Sequence, residues 1–390
     1  MLCNRIRVRN FRNIEEADVT FSEGVNILYG NNAQGKTNLL EAVYFSALGK
    51  SFRKKITGED LIRFGYQEAE ISLDFSDSIR GQNLVSTLSR GKQRRVQLNR
   101  IRLERLSEAL GAFRTVLFCP EHLSLVKGGP EERRAFLDVA ISQLRPVYTR
   151  SLQRYNRIKE ERNRLLKTAY QDREAFYATI DTWSEQLAAE GAQIARLRSW
   201  YVQELNELVK VCFADMTGGG EVPTLRYAGS AGLSAEEYEQ VKPTENRFRE
   251  LLSASVEREI QLGSTQYGIH KDEIALYLDG KPAHFGSQGQ CRSLALAMKL
   301  AEGEICRRES GECPVYLLDD VVSELDPIRR AYLFREIKGK QVIITSCETL
   351  QGEELYGVPR RIRVENGQFF EETPDGQKSD TGPDEQPNTT

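Results

Sequence analysis

Gly30-Asn31-Asn32-Ala33-Gln34-Gly35-Lys36-Thr37 has the form G-x-x-x-x-G-K-T. An apolar run, Val25–Tyr29, precedes it, and Leu39, Leu40, Val43, Tyr44 and Leu48 follow at helical spacing. Strand, loop and helix in that order distinguish a phosphate-binding loop from a chance match. The glycines let the backbone curl so that several N–H groups point inward at a polyphosphate, and the helix adds its positive end. In such a loop Lys36 reaches the β- and γ-phosphates and Thr37 offers its hydroxyl to Mg²⁺. The plainer reading, a glycine-rich turn before an ordinary helix, leaves the coincidence of the three parts unexplained. Binding of ATP or GTP is the expectation.

Val315-Tyr316-Leu317-Leu318-Asp319-Asp320 is an apolar strand ending in two carboxylates. Beside a phosphate loop, Asp319 is placed to hold Mg²⁺ from the far side and Asp320 to orient or deprotonate an attacking water. Lys36, Asp319 and Asp320 are thus the catalytic candidates, and Thr37 and Asp319 the metal ligands. Ser287-Gln288-Gly289-Gln290 opens a helix 32 positions ahead of Asp319. By itself Ser287 reads as an N-cap. Ser323-Glu324-Leu325-Asp326-Pro327 caps another helix.

Phosphate loop, S-x-G-Q helix start, L-L-D-D and S-E-L-D, in that order, resemble the ATPase heads of ABC-type proteins. The resemblance implies an α/β fold, a mixed β-sheet with a P-loop core. It also implies that Ser287, Gly289 and Gln290 of one subunit cover the γ-phosphate held by another, with Asp326 beside them. ATP would then join two heads. Three positions depart from the general pattern. Asp320 stands where transporter heads carry Glu, which suits a slow switch. Ser346-Cys347 occupies the place of the switch His, so γ-phosphate sensing is done otherwise. Pro120-Glu121 follows the strand Thr115–Cys119 where a glutamine is usual.

The elements that must position these groups follow from periodicity. Alternation marks strands at 4–9 and Ala17–Phe21, and strand-like runs at Ala69–Phe75, Asn83–Leu88, Arg94–Leu98 and Ile101–Leu103 read as an antiparallel meander. The longest helical patterns cover 146–169 and 174–214. In the second, Phe176, Ile180, Trp183, Leu187, Ile194, Leu197, Tyr201, Leu205, Leu208 and Cys212 recur at 4-3 spacing, a heptad seam. Joined near Tyr170–Arg173, the two make an antiparallel helical arm inserted into the head. Gly218-Gly219-Gly220 ends it. A strand at Thr224–Tyr227, a helix around Ala235–Leu262, a strand at Ile274–Leu278, another at Gln341–Thr345 and a hairpin about Asn366-Gly367 complete the pattern. The expected division is 1–130 for the first part of the head, 131–218 for the arm, 219–370 for the rest of the head and 371–390 for a disordered acidic tail.

The 390 residues carry a net charge of −3. From 371 onward six acids stand against Lys378, so the tail holds −5 and the body −3 + 5 = +2. Arg90, Lys92, Arg94, Arg95, Arg100, Arg102 and Arg105 cluster on the last part of the meander against Glu104. Such charges either protect a sheet edge or contact nucleic-acid phosphates, and charge alone leaves both open. Arg90, Lys92, Arg94, Arg95 and Arg100 are the candidate DNA contacts. The seven cysteines include no C-x-x-C pair, against a zinc module or disulfide framework. No run spans a bilayer, and the N-terminus lacks a signal peptide's apolar core, so a cytoplasmic protein is expected.

The phosphate loop with Asn38-Leu39-Leu40-Glu41-Ala42, then Pro120-Glu121 with Arg133-Arg134-Ala135-Phe136-Leu137-Asp138, closely resembles the bacterial RecF family. So do Gly268-Ile269-His270-Lys271-Asp272, Phe285-Gly286-Ser287-Gln288-Gly289-Gln290 and Leu318–Asp326, over residues 1 to about 370 in order. Ile269 stands where the family commonly has Pro. The resemblance implies an ATP- and Mg²⁺-dependent DNA-binding protein of recombinational repair and replication restart. Proteins of this kind dimerise on DNA with ATP, hydrolyse it slowly, and work with RecO and RecR to load RecA at single-strand gaps, with a role in SOS induction. Duplex, single strand or their junction are all open as the preferred DNA. Rival readings are an ABC transporter head, which predicts a membrane partner, an SMC-type clamp, which needs far longer arms, and a scaffold that binds ATP without turnover.

Overall fold

The computed structural model describes residues 1–347 and 357–372. The chain runs through β1 (Leu2–Phe11), β2 (Ile14–Thr20), β3 (Val25–Tyr29), α1 (Lys36–Leu48), β4 (Glu68–Ser76), β5 (Gly81–Ser89), β6 (Arg95–Leu98), β7 (Ile101–Leu103) and β8 (Thr115–Phe118). Next come α2 (Ser124–Lys127), α3 (Pro130–Leu144), α4 (Pro146–Thr168), α5 (Arg173–Thr217), β9 (Pro223–Ala228), α6 (Ala235–Tyr238), α7 (Val241–Ala254) and α8 (Val256–Leu262). It closes with β10 (Glu273–Leu278), β11 (Lys281–Pro282), α9 (Gln288–Ser310), β12 (Val315–Asp319), α10 (Pro327–Glu336), β13 (Val342–Ser346), β14 (Arg360–Glu365) and β15 (Gln368–Glu372).

One six-stranded sheet, β2-β1-β4-β5-β6-β7, is antiparallel and contains the expected meander. The second, β15-β14-β3-β13-β12-β8, is parallel except for its β15 edge. Strands of a parallel sheet covered on both faces read as continuous apolar runs, and β12 and β13 do. Leu317 and Ile343 pack toward α1 and the antiparallel sheet. Leu318 and Ile344 pack toward α3, α5 and α9. Helix α1, caught between the two sheets, is buried nearly all round.

The arm differs from a simple two-helix coil. At 1.5 Å per residue, α5 with its 45 residues is about 67 Å long and α4 with 23 about half that. The heptad seam of α5 therefore meets α4 over part of its length and α7, α9 and β9 over the rest. The helix expected over 235–262 is three, α6 to α8. Pro243 has no N–H to donate and is tolerated only in a first turn, so α7 begins two residues before it and α6 stops at Tyr238. The expected strand at Arg94 begins one residue later. The closing hairpin is present, with Asn366 at φ 50° and Gly367 at φ 77°. Glu371 and Glu372, counted above with the acidic tail, form the end of β15, and residues 373–390 of that tail lie outside the described residues.

Where arm meets head, the buried Arg198 of α5 joins four segments. Its guanidinium donates to Tyr148 Oη at 2.9 Å, to the Ile269 carbonyl at 2.6 Å and to Asp138 Oδ1 at 2.8 Å. The Asp272 carboxylate stands 3.9 Å away.

Candidate functional site

Loop 30–37 is shaped by its neighbours as much as by its own sequence. Gly30 has φ 143°, and a Cβ there would lie 2.4 Å from the Val364 carbonyl oxygen of β14. Gly35 caps α1 at φ 116°, which an L side chain rarely adopts. Lys36, 7% exposed, donates to the Gly30 carbonyl and, at 2.9 Å, to that of Asn31. Its ammonium thus already lies inside the curl that would receive phosphates. Asn31, Asn32 and Ala33 form the exposed outer turn of that curl, and Gln34 Oε1 accepts from the Asn366 N–H at 2.6 Å.

The parallel order β3-β13-β12 places one strand between the loop and Asp319. Thr345, at the end of that strand and opposite Asp319 in register, bridges the gap. Thr37 Oγ1 and Thr345 Oγ1 each donate to Asp319 Oδ1 at 2.8 Å. Thr345 also accepts from the Asp320 N–H at 3.0 Å. Burial raises the Asp319 pKa, against the two hydroxyls and the positive charge of Arg53. Asp320 adopts φ 51°, and its carboxylate makes no hydrogen bond or ion pair among the described residues.

Thr37 and Asp319 therefore present hard oxygens side by side. Mg²⁺ is held by one or two protein oxygens plus phosphates and water rather than by a protein cage. No cluster of three or more His, Cys, Asp or Glu among the described residues is arranged for a metal. Cys347, in the place of the switch His, donates its thiol to Asn32 Oδ1 at 2.8 Å and lies 3.8 Å from Lys36 Nζ.

The other predicted residues form a second group. Ser287 Oγ accepts from the Gln290 N–H at 3.2 Å, and Gln290 Oε1 from the Ser287 N–H at 2.5 Å, a reciprocal cap on α9. Asp326 caps α10, accepting from the Arg329 N–H at 3.0 Å. Arg329 ties the two caps together. It pairs with Asp326, donates to the Gly289 carbonyl at 2.8 Å and reaches Ser293 Oγ at 2.8 Å. Phe285 and Ile328, 78% and 71% exposed, flank this corner. No hydrogen bond or ion pair among the described residues joins Ser287–Gln290 or Asp326 to the loop 30–37. Within one chain the two groups therefore belong to separate hydrogen-bond networks among the described residues.

Reading the sequence missed Thr345, Arg53 and Arg329. Thr345 had a signal, a hydroxyl near the end of a largely apolar strand. Arg53, in the short basic segment Ser51-Phe52-Arg53-Lys54-Lys55, is tied to α1 through Asn38 at 2.9 Å and Glu41 at 3.7 Å. Of the basic hairpin, Lys92 and Arg100 are exposed, Arg95 pairs with Glu68 at 3.1 Å, and Arg90 donates to the Tyr66 carbonyl. Arg94 is half-buried. Its guanidinium bonds the Gly49 carbonyl and lies 5.0 Å from the Phe45 ring centroid, so it serves packing.

Comparison with known proteins gives one family model, two relatives and two similar structures. The model of the RecF/RecN/SMC N terminal domain matches residues 2–367. The chain is 36% identical to the "DNA replication and repair protein RecF" of Geobacillus kaustophilus over 353 residues, 90% of this chain and 94% of that one. It is also 36% identical to the protein of the same description from Acetivibrio thermocellus, over 95% of this chain and all of that one. A solved structure of "the recombination mediator protein RecF-ATPrS in RecFOR pathway" superposes with a TM-score of 0.87 at 30% identity, covering 95% and 98% of the two chains. The Smc head of Pyrococcus furiosus, at 16% identity and a TM-score of 0.51, shares the fold.

Proposed function

Because the chain belongs to the RecF branch of the RecF/RecN/SMC family, we propose that it is an ATP-dependent DNA-binding protein of recombinational repair and replication restart. It binds ATP in the loop 30–37, with Mg²⁺ on Thr37 and Asp319. Two copies close head to head, the Ser287 corner of each covering the γ-phosphate held by the other. What supports this reading is that no hydrogen bond or ion pair among the described residues joins Ser287–Gln290 or Asp326 to the loop 30–37 of the same chain. The exposed Phe285 and Ile328 beside the Ser287 corner are the apolar surface that a second copy would cover.

In this assembly Lys36 neutralises the β- and γ-phosphates. Asp320 orients the attacking water, and Thr345 holds the Asp319 carboxylate and the Asp320 backbone N–H in place. Hydrolysis is slow and acts as a release step. RecO and RecR are the proposed partners, RecA the recombinase loaded at single-strand gaps, and SOS induction follows from that loading. No helix among the described residues is long and apolar enough to cross a membrane, and a cytoplasmic site of action accords with this.

Sedimentation tests the reading. With ATP, Mg²⁺ and gapped DNA the protein should run as a dimer bound to DNA, and without nucleotide as a monomer. A monomer under both conditions contradicts it.

A further inference from the structure

The turn Gly268-Ile269-His270-Lys271-Asp272 contributes to neither half-site, yet a dense buried network holds it. The carboxylate of Asp272, 1% exposed, accepts from Tyr227 Oη and from the Ser230 N–H at 2.7 Å. Ser230 Oγ is 2.9 Å from the Gly268 nitrogen and 3.0 Å from its carbonyl oxygen. Arg198 takes the Ile269 carbonyl. Both ring nitrogens of His270 are engaged, Nδ1 with Tyr155 Oη at 2.7 Å and Nε2 with the Thr265 carbonyl at 3.0 Å. Gly268, at φ 133°, has Tyr155 Oη only 2.1 Å from where a Cβ would sit.

Within 265–273 the one exposed side chain is Lys271. This rigid turn therefore presents a single cation to solvent. Two more stand beside it. Lys159 lies one turn beyond Tyr155 on α4, and Arg134 of α3 donates to the Asp272 carbonyl at 2.8 Å. Burial, and then the charges of Lys159, Lys271 and Arg134, push His270 down to about 4, against its bond to the Thr265 carbonyl. The ring therefore stays neutral and adds no charge of its own at neutral pH.

Two of the nearby acids are engaged elsewhere, and the third, Glu160, adjoins Lys159 in sequence, a spacing at which helical side chains do not face each other. Glu273 is held by Arg133 at 2.6 and 2.8 Å, and Glu161 by Arg164 at 2.9 Å. Glu160 is exposed on α4 beside Lys159. Lys159 and Lys271 make no ion pair among the described residues.

We propose that Lys271, Lys159 and Arg134 form a phosphate-contacting surface at the joint of arm and head, where the backbone of bound DNA is gripped. This rests on the DNA-binding reading above and adds a site apart from the β6–β7 hairpin. A nucleic-acid backbone is favoured over an acidic protein because no exposed large apolar side chain lies in 265–273 to anchor a protein partner. Cations on a rigid scaffold are what phosphate positioning needs.

The test compares the full chain with a Lys159→Ala/Lys271→Ala variant in ATP-dependent binding to gapped DNA across a salt series. Each phosphate contact contributes about 0.9 to the slope of log K against log salt. The double variant should lose about 1.8 from that slope and at least about tenfold in affinity at low salt. ATP affinity and melting temperature should not change, and Lys159→Arg/Lys271→Arg should restore wild-type binding. If wild-type protein binds DNA and the alanine variant matches it in slope and affinity, the surface is wrong while the DNA-binding reading stands. Failure of the arginine variant to restore binding also overturns it. If wild-type protein with ATP does not bind DNA at all, both readings fall.

Discussion

Lys36→Met should abolish nucleotide-dependent assembly while leaving the chain folded. Methionine retains most of the length and the apolar stem that α1 buries, so the cost to stability is small. What is lost is an ammonium held inside the loop by the Gly30 and Asn31 carbonyls, where a polyphosphate would meet it. Removing one partner of a desolvated, hydrogen-bonded charge pair costs about 2–5 kcal/mol. At about 1.4 kcal/mol per tenfold, this is a factor of about 30 to 4,000 in Kd for ATP. Titration with a fluorescent ATP analogue measures it directly, and sedimentation with DNA should then show monomer only. A variant that still dimerised on DNA in response to ATP would show that the loop is not the switch.

Arg198→Met should be the most destabilising single change at the joint of arm and head. The guanidinium is 1% exposed and serves Tyr148, Asp138, the Ile269 carbonyl and Asp272 together. Its loss strands carboxylates in low dielectric, and breaking a buried pair from one side costs about 3–5 kcal/mol. The pH dependence carries a definite sign. Burial already raises the Asp272 pKa above its ordinary 3.8, and Arg198 is the foremost influence opposing that rise. A carboxyl whose folded pKa is raised is favoured in the fold while protonated, and that benefit disappears as pH climbs through the folded pKa. Without Arg198 the pKa rises further. The deficit relative to wild type should therefore be largest at neutral pH and shrink as pH falls toward the raised pKa. Urea unfolding of both proteins from neutral to acidic pH checks this. A deficit that grew on acidification would remove Asp272 from the explanation.

The parts of this molecule legible in its sequence are those whose meaning is local. The phosphate loop is contiguous, and strand, loop and helix announce one another. Asp319 is legible because an apolar run of four residues, Val315–Leu318, leads to it, and α5 because its period persists over many turns. Thr345 was not legible as a clamp. Its role exists only because β13 lies between β3 and β12, a fact of topology that no neighbour of Thr345 encodes. Arg198 and the tie from Arg329 to Gly289 and Ser293 are hidden for the same reason, since those partners lie far away in the chain. The basic hairpin shows a different limit. Charge marked Arg94 and Arg95 alike, but Arg94 lies against Phe45 while Arg95 faces solvent. The residues over 235–262 are helical throughout in period, and only the rule that proline must sit in a first turn reveals the break before Pro243.

On the proposed reading, Gly30–Thr37 with Asp319 and Asp320 in one chain are completed by Ser287–Gln290 with Asp326 from a second. Mixing two inactive variants tests that claim most directly. Lys36→Met disables the loop, and Ser287→Arg blocks the corner that should cover the partner's γ-phosphate. Each alone should fail to form an ATP-dependent dimer on DNA. Mixed in equal amounts, they can form a dimer in which one site combines both defects and the other combines two intact halves. The mixture should recover ATP-dependent dimer and ATP turnover, at about half the wild-type rate, because only mixed dimers form and each carries one working site of two. A mixture as inactive as its components, with both proteins folded, would contradict the composite site, and so would a Ser287→Arg protein that assembles normally by itself.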